Sequence, residues 1–135
     1  MAENLSATKC QCILLVEDEE DIRENLKMLL ELEGYKVFTA INGDDGLKVL
    51  RTIERPCLIL LDLLMPVMNG MEFLNEKKHE DAIAQIPVCI VSGVAEKPDM
   101  NGVSAFVKKP IDLEILLKVV KIYCRPFFCE VEGRS

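Results

Sequence analysis

Apolar positions along the chain follow two alternating patterns, short unbroken runs and longer stretches with helical spacing. Cys12 to Val16 is an unbroken run, too brief for a helix and suited to a strand buried on both faces. From Glu19 to Glu33 the period changes: Ile22, Leu26, Leu29 and Leu30 share one helical face, and Gly34 marks the stop. Tyr35 to Thr39 predicts a second strand. Asn42-Gly43 predicts a turn before a helix over Asp45 to Glu54, with Leu47, Val49 and Leu50 on its apolar side and Pro56 closing the unit. Cys57 to Leu61 is another continuous run, followed by a loop with Pro66 and a helix from about Asn69 to Glu80 carrying Met71, Phe73 and Leu74. Pro87 precedes a fourth strand, Val88 to Val91. A short fifth strand, Ala105 to Val107, leads to a last helix over Leu113 to Tyr123, with Leu116, Leu117, Val120 and Ile122 among its apolar residues.

Strands that lose polar alternation are buried on both faces, and helices between them supply the cover. The fold class predicted is α/β: a doubly wound, five-stranded parallel sheet with helices on both faces. Right-handed crossovers leave few arrangements, of which the flavodoxin-like order 2-1-3-4-5 is the commonest. No internal repeat or linker interrupts the pattern, so 135 residues predict one domain and one site.

Composition narrows the partners. Against 23 Asp and Glu stand 16 Lys and Arg, a formal charge of −7, which argues against nucleic acid or an anionic membrane and favours proteins and cations. The polar start, Met1 to Lys9, holds no run long enough for a secretory signal. No stretch approaches the roughly 20 apolar residues of a membrane span, so a cytoplasmic location is expected. In that setting the six cysteines are expected to be reduced thiols. Cys57 and Cys89 read as small hydrophobes inside apolar runs, and Cys10 and Cys12 as packing residues, since no second close pair or His cluster completes a metal site. His79, in the charged stretch Glu76 to Asp81, reads as a solvated surface residue.

In an open parallel sheet, ligands bind beyond the carboxyl ends of the strands. There the first strand ends in Glu17-Asp18, the third in Asp62, the fourth in Ser92 and the fifth in Lys108-Lys109-Pro110. Each has an ordinary explanation as a cap, turn residue or surface charge. Jointly they gather like charges whose repulsion calls for a cation. Hard oxygen ligands point to Mg²⁺, with Asp18 and Asp62 suited to bind it and Glu17 long enough to reach it through water. An ionised Asp at such a site is also a nucleophile toward phosphorus. Ser92 could donate to a phosphate oxygen and Lys109 could serve as a point charge.

Four segments carry a specific resemblance: Ile13-Leu14-Leu15-Val16-Glu17-Asp18-Glu19; Leu60-Leu61-Asp62-Leu63-Leu64-Met65-Pro66-Val67-Met68-Asn69-Gly70; Pro87-Val88-Cys89-Ile90-Val91-Ser92-Gly93; and Phe106-Val107-Lys108-Lys109-Pro110. In this order they resemble the signatures of response-regulator receiver domains, the CheY-like superfamily, over about residues 10 to 124. The resemblance implies a phosphoacceptor at Asp62. It implies Mg²⁺, or Mn²⁺ in its place, held by Asp18 and Asp62 directly, by Glu17 through water and by the backbone carbonyl of Leu64. Ser92 matches the switch hydroxyl, Phe106 the aromatic that turns inward behind it, and Lys109 the phosphate-binding lysine. Pro66, Gly70 and Pro110 match structural positions, the last often reached through a cis bond. The implied phosphoryl donor is a histidine kinase or histidine phosphotransfer protein, or a small acyl phosphate. The output is a switched surface that meets a downstream protein, and the protein acts on no substrate but itself.

Two departures qualify that picture. Residues 93–105 are the only link between Ser92 and Phe106 and include Gly93, Pro98 and Gly102, which predicts a short or irregular fourth helix. The family's usual dimer is therefore not carried over; a monomer or weak dimer is expected. Leu64 and Val94, each two residues beyond a site residue, are apolar and unsuited to orient water, which predicts slow hydrolysis of the phosphorylated form. The expected organisation is a stand-alone receiver over 10–124 with extensions 1–9 and 125–135 and no effector domain, Phe127 and Phe128 packing on the last helix. Two alternatives compete. A haloacid-dehalogenase-type phosphohydrolase would need a general acid where Leu64 stands. A degenerate receiver would be a protein-binding module without phosphorylation.

Overall fold

The computed structural model describes residues 12–65, 67–93 and 102–124. Its elements run β1 (Cys12–Val16), α1 (Glu20–Leu32), β2 (Lys36–Ala40), α2 (Gly43–Leu50), β3 (Leu58–Leu61), α3 (Gly70–Lys78), β4 (Val88–Ser92), β5 (Ala105–Lys108) and α4 (Leu113–Tyr123). The strands form one sheet in the order β2-β1-β3-β4-β5, every neighbouring pair parallel. This is the expected doubly wound order.

Side-chain alternation along the strands divides the core in two. Leu14, Val16, Ile59, Leu61, Val88 and Ile90 face α2 and α3, where Leu47, Leu50, Phe73 and Leu74 meet them. Ile13, Leu15, Leu58, Leu60, Cys89 and Val91 face the other way, onto Leu26 and Leu30 of α1 and Leu116 and Val120 of α4. Burying a side chain of this size contributes about 1.5–3 kcal/mol. Phe73 is wholly buried, and it fits because α2 carries Gly46 opposite: a Cβ there would lie 3.1 Å from the Phe73 ring and 3.2 Å from Val16.

Three helices start on side-chain caps. Asn42 accepts from the Asp45 amide, Asn69 and Glu72 form a reciprocal capping box, and Asp112 accepts from Glu114 and Ile115. Each cap contributes about 1 kcal/mol. The Asn42 cap moves the start of α2 to Gly43, two residues before the apolar pattern suggests, and the helix ends at Leu50 rather than Glu54. Met71 and Ile122 sit on helices as expected but face outward, 55% and 73% exposed. Lys77, within the charged stretch, is an exception to the usual exposure of lysine. It is buried, its Nζ donating to the Ala84 carbonyl at 2.8 Å, and burial pushes its ammonium below the usual lysine range. The neighbouring His79 is exposed, as the charged stretch predicts. The short fourth helix, Pro66, Val94, Pro98, Cys10, Phe127 and Phe128 lie outside the described residues.

The thiol chemistry differs from expectation. Cys57, just before β3, and Cys124, the C-cap of α4, form a disulfide with Cα atoms 5.5 Å apart; Cys12 and Cys89 are buried in the core. A run of apolar residues conceals such a pairing because the partner lies 67 positions away and is brought near only by the packing of α4 on the sheet. Closing so long a loop restricts the unfolded chain, which stabilises the fold by about 4 kcal/mol. A non-reducing peptide map should recover Cys57 linked to Cys124, and Cys57→Ser should lower stability by about that amount in a denaturant titration. Equal stability in the presence and absence of dithiothreitol would contradict the staple.

Candidate functional site

Strand register brings the site together. Val16 pairs with both Ala40 and Leu61, so Glu17 and Asp62, the residues that follow, leave adjacent strands side by side. The backbone ladder continues one step beyond the strands, Glu17 N donating to the Ala40 carbonyl and Asp62 N to the Val16 carbonyl. Carboxylate oxygens of Glu17, Asp18 and Asp62 all lie within 4.8 Å of one another. Glu17 and Asp62 are buried, and Asp18 forms the more open side.

Lys109 enters from β5. Its Nζ donates to Glu17 Oε1 at 2.9 Å and stands 3.7 Å from Asp62 Oδ2. Its backbone N–H donates to the Ser92 carbonyl, tying the β5 end to the β4 end, and the Lys109–Pro110 bond is cis. Ser92 is buried at the end of β4. Phe106 pairs in register with Ile90 and is half-buried against the α2/α3 side of the core. Lys108 points to solvent, as expected of a neighbour outside the site.

The β3–α3 loop is pressed against the phosphoacceptor candidate. Leu64 N donates to Asp62 Oδ1 at 3.4 Å, while the Leu64 side chain is 67% exposed at the rim. Val67 holds a left-handed backbone, φ 69°, which costs a β-branched residue on the order of 1–3 kcal/mol. The next carbonyl, Met68, accepts from Gly43 N and joins this loop to the start of α2. Gly70 is needed for close approach: a Cβ would fall 2.6 Å from the Asp62 carbonyl and 2.8 Å from Leu63 Cα. The structure therefore brings Glu17, Asp18, Asp62 and Lys109 into one cluster, with Ser92, Phe106, Leu64, Gly70 and Pro110 on the elements that border it.

The sequence pattern does not single out Arg23. Its Nη1 donates to the carbonyls of Glu17 at 3.0 Å and Asp18 at 3.4 Å, closing the β1–α1 loop from the first turns of α1. An arginine a helical turn beyond an acidic pair is a weak signal on its own, since most such residues extend into water.

Electrostatically the cluster is unbalanced. Three carboxylates face one ammonium. Burial raises the pKa of Glu17, against the lowering effect of its bonds from Lys109 and Glu19. Burial likewise raises Asp62, against the attraction of Lys109, with Asp18 adding repulsion. For Lys109, burial works to lower the pKa, but the Glu17 bond and the charge of Asp62 outweigh it and hold the ammonium above its usual range. An all-oxygen donor set with surplus negative charge fits a hard divalent cation.

Comparison with known proteins agrees with this arrangement. The family model described as response regulator receiver domain matches residues 13–121. Sporulation initiation phosphotransferase F of Bacillus subtilis is 34% identical over 115 residues, covering 82% of this chain and 91% of the relative. Transcriptional regulatory protein AfsQ1 of Streptomyces coelicolor is 34% identical over 109 residues, and there the chain spans only 47% of the relative's length. Among solved structures, response regulator protein TrrA from Thermotoga maritima, in complex with Mg²⁺-BeF, superposes with a TM-score of 0.74 at 28% identity, covering 84% of this chain and 98% of that one. A doubly wound sheet with an acidic cluster at its strand ends, matched along most of its length, places the chain in the response-regulator receiver domain family of two-component signalling.

Proposed function

We propose that the chain is a phosphorylation switch that accepts a phosphoryl group on Asp62 in a magnesium-dependent reaction. The observation that carries the reading is the meeting of Glu17, Asp18 and Asp62 around one point with Lys109 opposite. Asp18 and Asp62 would hold Mg²⁺, or Mn²⁺, with Glu17 assisting through water and the Leu64 carbonyl completing the protein's share. When bound, the ion neutralises charge developing on the transferring group. An Asp62 carboxylate oxygen attacks phosphorus as the bond from phosphorus to a donor imidazole nitrogen breaks, that nitrogen keeping the electron pair. The donor is a histidine kinase or histidine phosphotransfer protein.

Adding roughly 1.5–2 negative charges at Asp62 then draws Lys109 and the Ser92 hydroxyl toward the new group. Phe106 turns inward behind Ser92, and the altered surface near β4 and β5 is read by a downstream protein target. The working unit is residues 10–124, a cytoplasmic monomer or weak dimer acting on neither nucleic acid nor membrane. Among the described residues no helix is long and apolar enough to cross a membrane. A haloacid-dehalogenase reading finds no general acid, since Leu64 holds that position.

Exposure to acetyl phosphate with Mg²⁺ should add one phosphoryl group to the intact mass, and Asp62→Asn should abolish the gain. An equal gain in both proteins, or none in either, would favour a degenerate receiver acting only as a binding module. With apolar Leu64 at the pocket rim, the phosphorylated form should decay over minutes or longer in magnesium buffer; a half-life of seconds would refute that.

Metal-free stability provides a test that needs no phosphate. Glu17 and Asp62 have raised folded-state pKa values, so between the ordinary carboxylate range and those raised values the folded chain binds more protons than the unfolded one. Stability must therefore fall as pH rises through that window and stay lowered at neutral pH. Asp62→Asn removes part of the repulsion and should stabilise the protein in EDTA at pH 7 by about 1 kcal/mol. Mg²⁺ should raise the melting temperature of the wild type more than that of this variant.

A further inference from the structure

We propose that Arg23 is a positioning residue for the acidic pocket, holding the backbone of Glu17 and Asp18 so that Asp18 is presented to the cation. This rests on the magnesium reading above. Three observations carry it. Arg23 is largely shielded, its side chain 13% exposed, and one guanidinium nitrogen spans two consecutive carbonyls, those of the acidic pair itself. Among the described residues the Asp18 carboxylate has no hydrogen-bond partner, whereas Glu17 is held by Lys109 and the Glu19 amide and Asp62 by the Leu64 amide. The direction in which Asp18 points is therefore set by its backbone, and Arg23 fastens that backbone.

The helix itself supplies the third observation. α2, α3 and α4 each begin on a side-chain cap, but Glu19 at the start of α1 makes none. The segment entering α1 is instead closed by the Glu17 carboxylate accepting from Glu19 N and by Arg23 reaching back across the first turn. Among the described residues the one carboxylate within ion-pair distance of the guanidinium is that of Glu24, exposed, with Oε2 3.8 Å from Arg23 Nε. That pair is too open to anchor the side chain, so the carbonyls are its main partners.

The sign of the effect separates positioning from simple charge. A guanidinium acting only through its charge repels a divalent cation, so removing it would tighten metal binding. A guanidinium acting as a strap presents a ligand, so removing it loosens binding. Groups that orient a metal ligand from behind change affinity by about 10–100-fold when removed. Mn²⁺ affinity, read from the loss of the free-ion paramagnetic resonance signal, should weaken by about tenfold in Arg23→Met, which keeps the aliphatic stem. Arg23→Lys should recover most of that loss, because an ammonium can still donate to carbonyls. At saturating Mg²⁺ the extent of Asp62 phosphorylation in Arg23→Met should return to the wild-type level, so that the defect lies in metal binding alone. Should Arg23→Met not fold, Arg23→Gln, too short to reach both carbonyls, should show the same weakening. Unchanged or tighter Mn²⁺ binding in the variant, with the wild type binding normally, overturns the positioning role and leaves the phosphoacceptor reading standing. No Mn²⁺ binding by the wild type overturns both.

Discussion

Mutual repulsion among carboxylates in a place shielded from water is the constraint around which this structure is arranged. Glu17 and Asp62 are both buried, Asp18 stands beside them, and each would be better solvated apart. They are held together by the parallel register of β1 and β3, which fixes where the two strands end. That register is enforced in turn by apolar side chains packed on both faces of the central strands. A one-residue slip would exchange the two faces of a strand, so the core cannot relieve the pocket by sliding. Stability generated in the middle of the sheet is thus spent at its edge, where the domain keeps a surplus of negative charge that a cation can relieve.

Most of this was legible in the residues because burial on both faces leaves an unmistakable trace. Runs such as Cys12 to Val16 and Val88 to Val91 carry no polar alternation, and only a covered parallel sheet explains several of them in one short chain. The topology then follows from chain handedness, and the strand-end polar residues meet because every strand points the same way. Less legible were features that depend on a partner distant in sequence or on backbone geometry. Gly43 reads as a turn residue, yet the Asn42 side chain supplies the missing acceptor and lets the helix begin there. Nothing in the sequence pattern singles out Lys77, yet a carbonyl at 2.8 Å holds its ammonium in the interior. The disulfide joins one end of β3 to the end of the last helix, a proximity that no local pattern encodes.

Those features also divide the molecule into two ends with different tasks. At the carboxyl ends of the strands the backbone is tightly constrained but chemically unsettled: Gly70 admits the start of α3 against Asp62, Val67 holds an unfavourable backbone, and like charges face one another. At the opposite end, Cys57 and Cys124 join the entry to β3 to the close of α4. β3 therefore runs from a covalent anchor to the buried Asp62 carboxylate within a few residues. A strand fixed at one end and packed on both faces can transmit little change along itself, so under the proposed switch a rearrangement at Asp62 would be directed outward, toward the loops and β5.

Lys109 is the element best placed to respond, because its position is a compromise. Its ammonium bonds Glu17 at 2.9 Å and only approaches Asp62 at 3.7 Å, so the longer acid captures it while both acids are simple carboxylates. With aspartate in place of Glu17 the reach would shorten by one methylene, and the balance would shift toward Asp62. Charge added at Asp62, as the proposed phosphorylation would add it, would tip the same balance without any change of sequence. Because the Lys109 amide is bonded to the Ser92 carbonyl, movement of the lysine side chain begins at a junction that already links β4 to β5. Under the proposed switch, the unequal sharing of one cation between two buried acids would let a change of charge at Asp62 move Lys109.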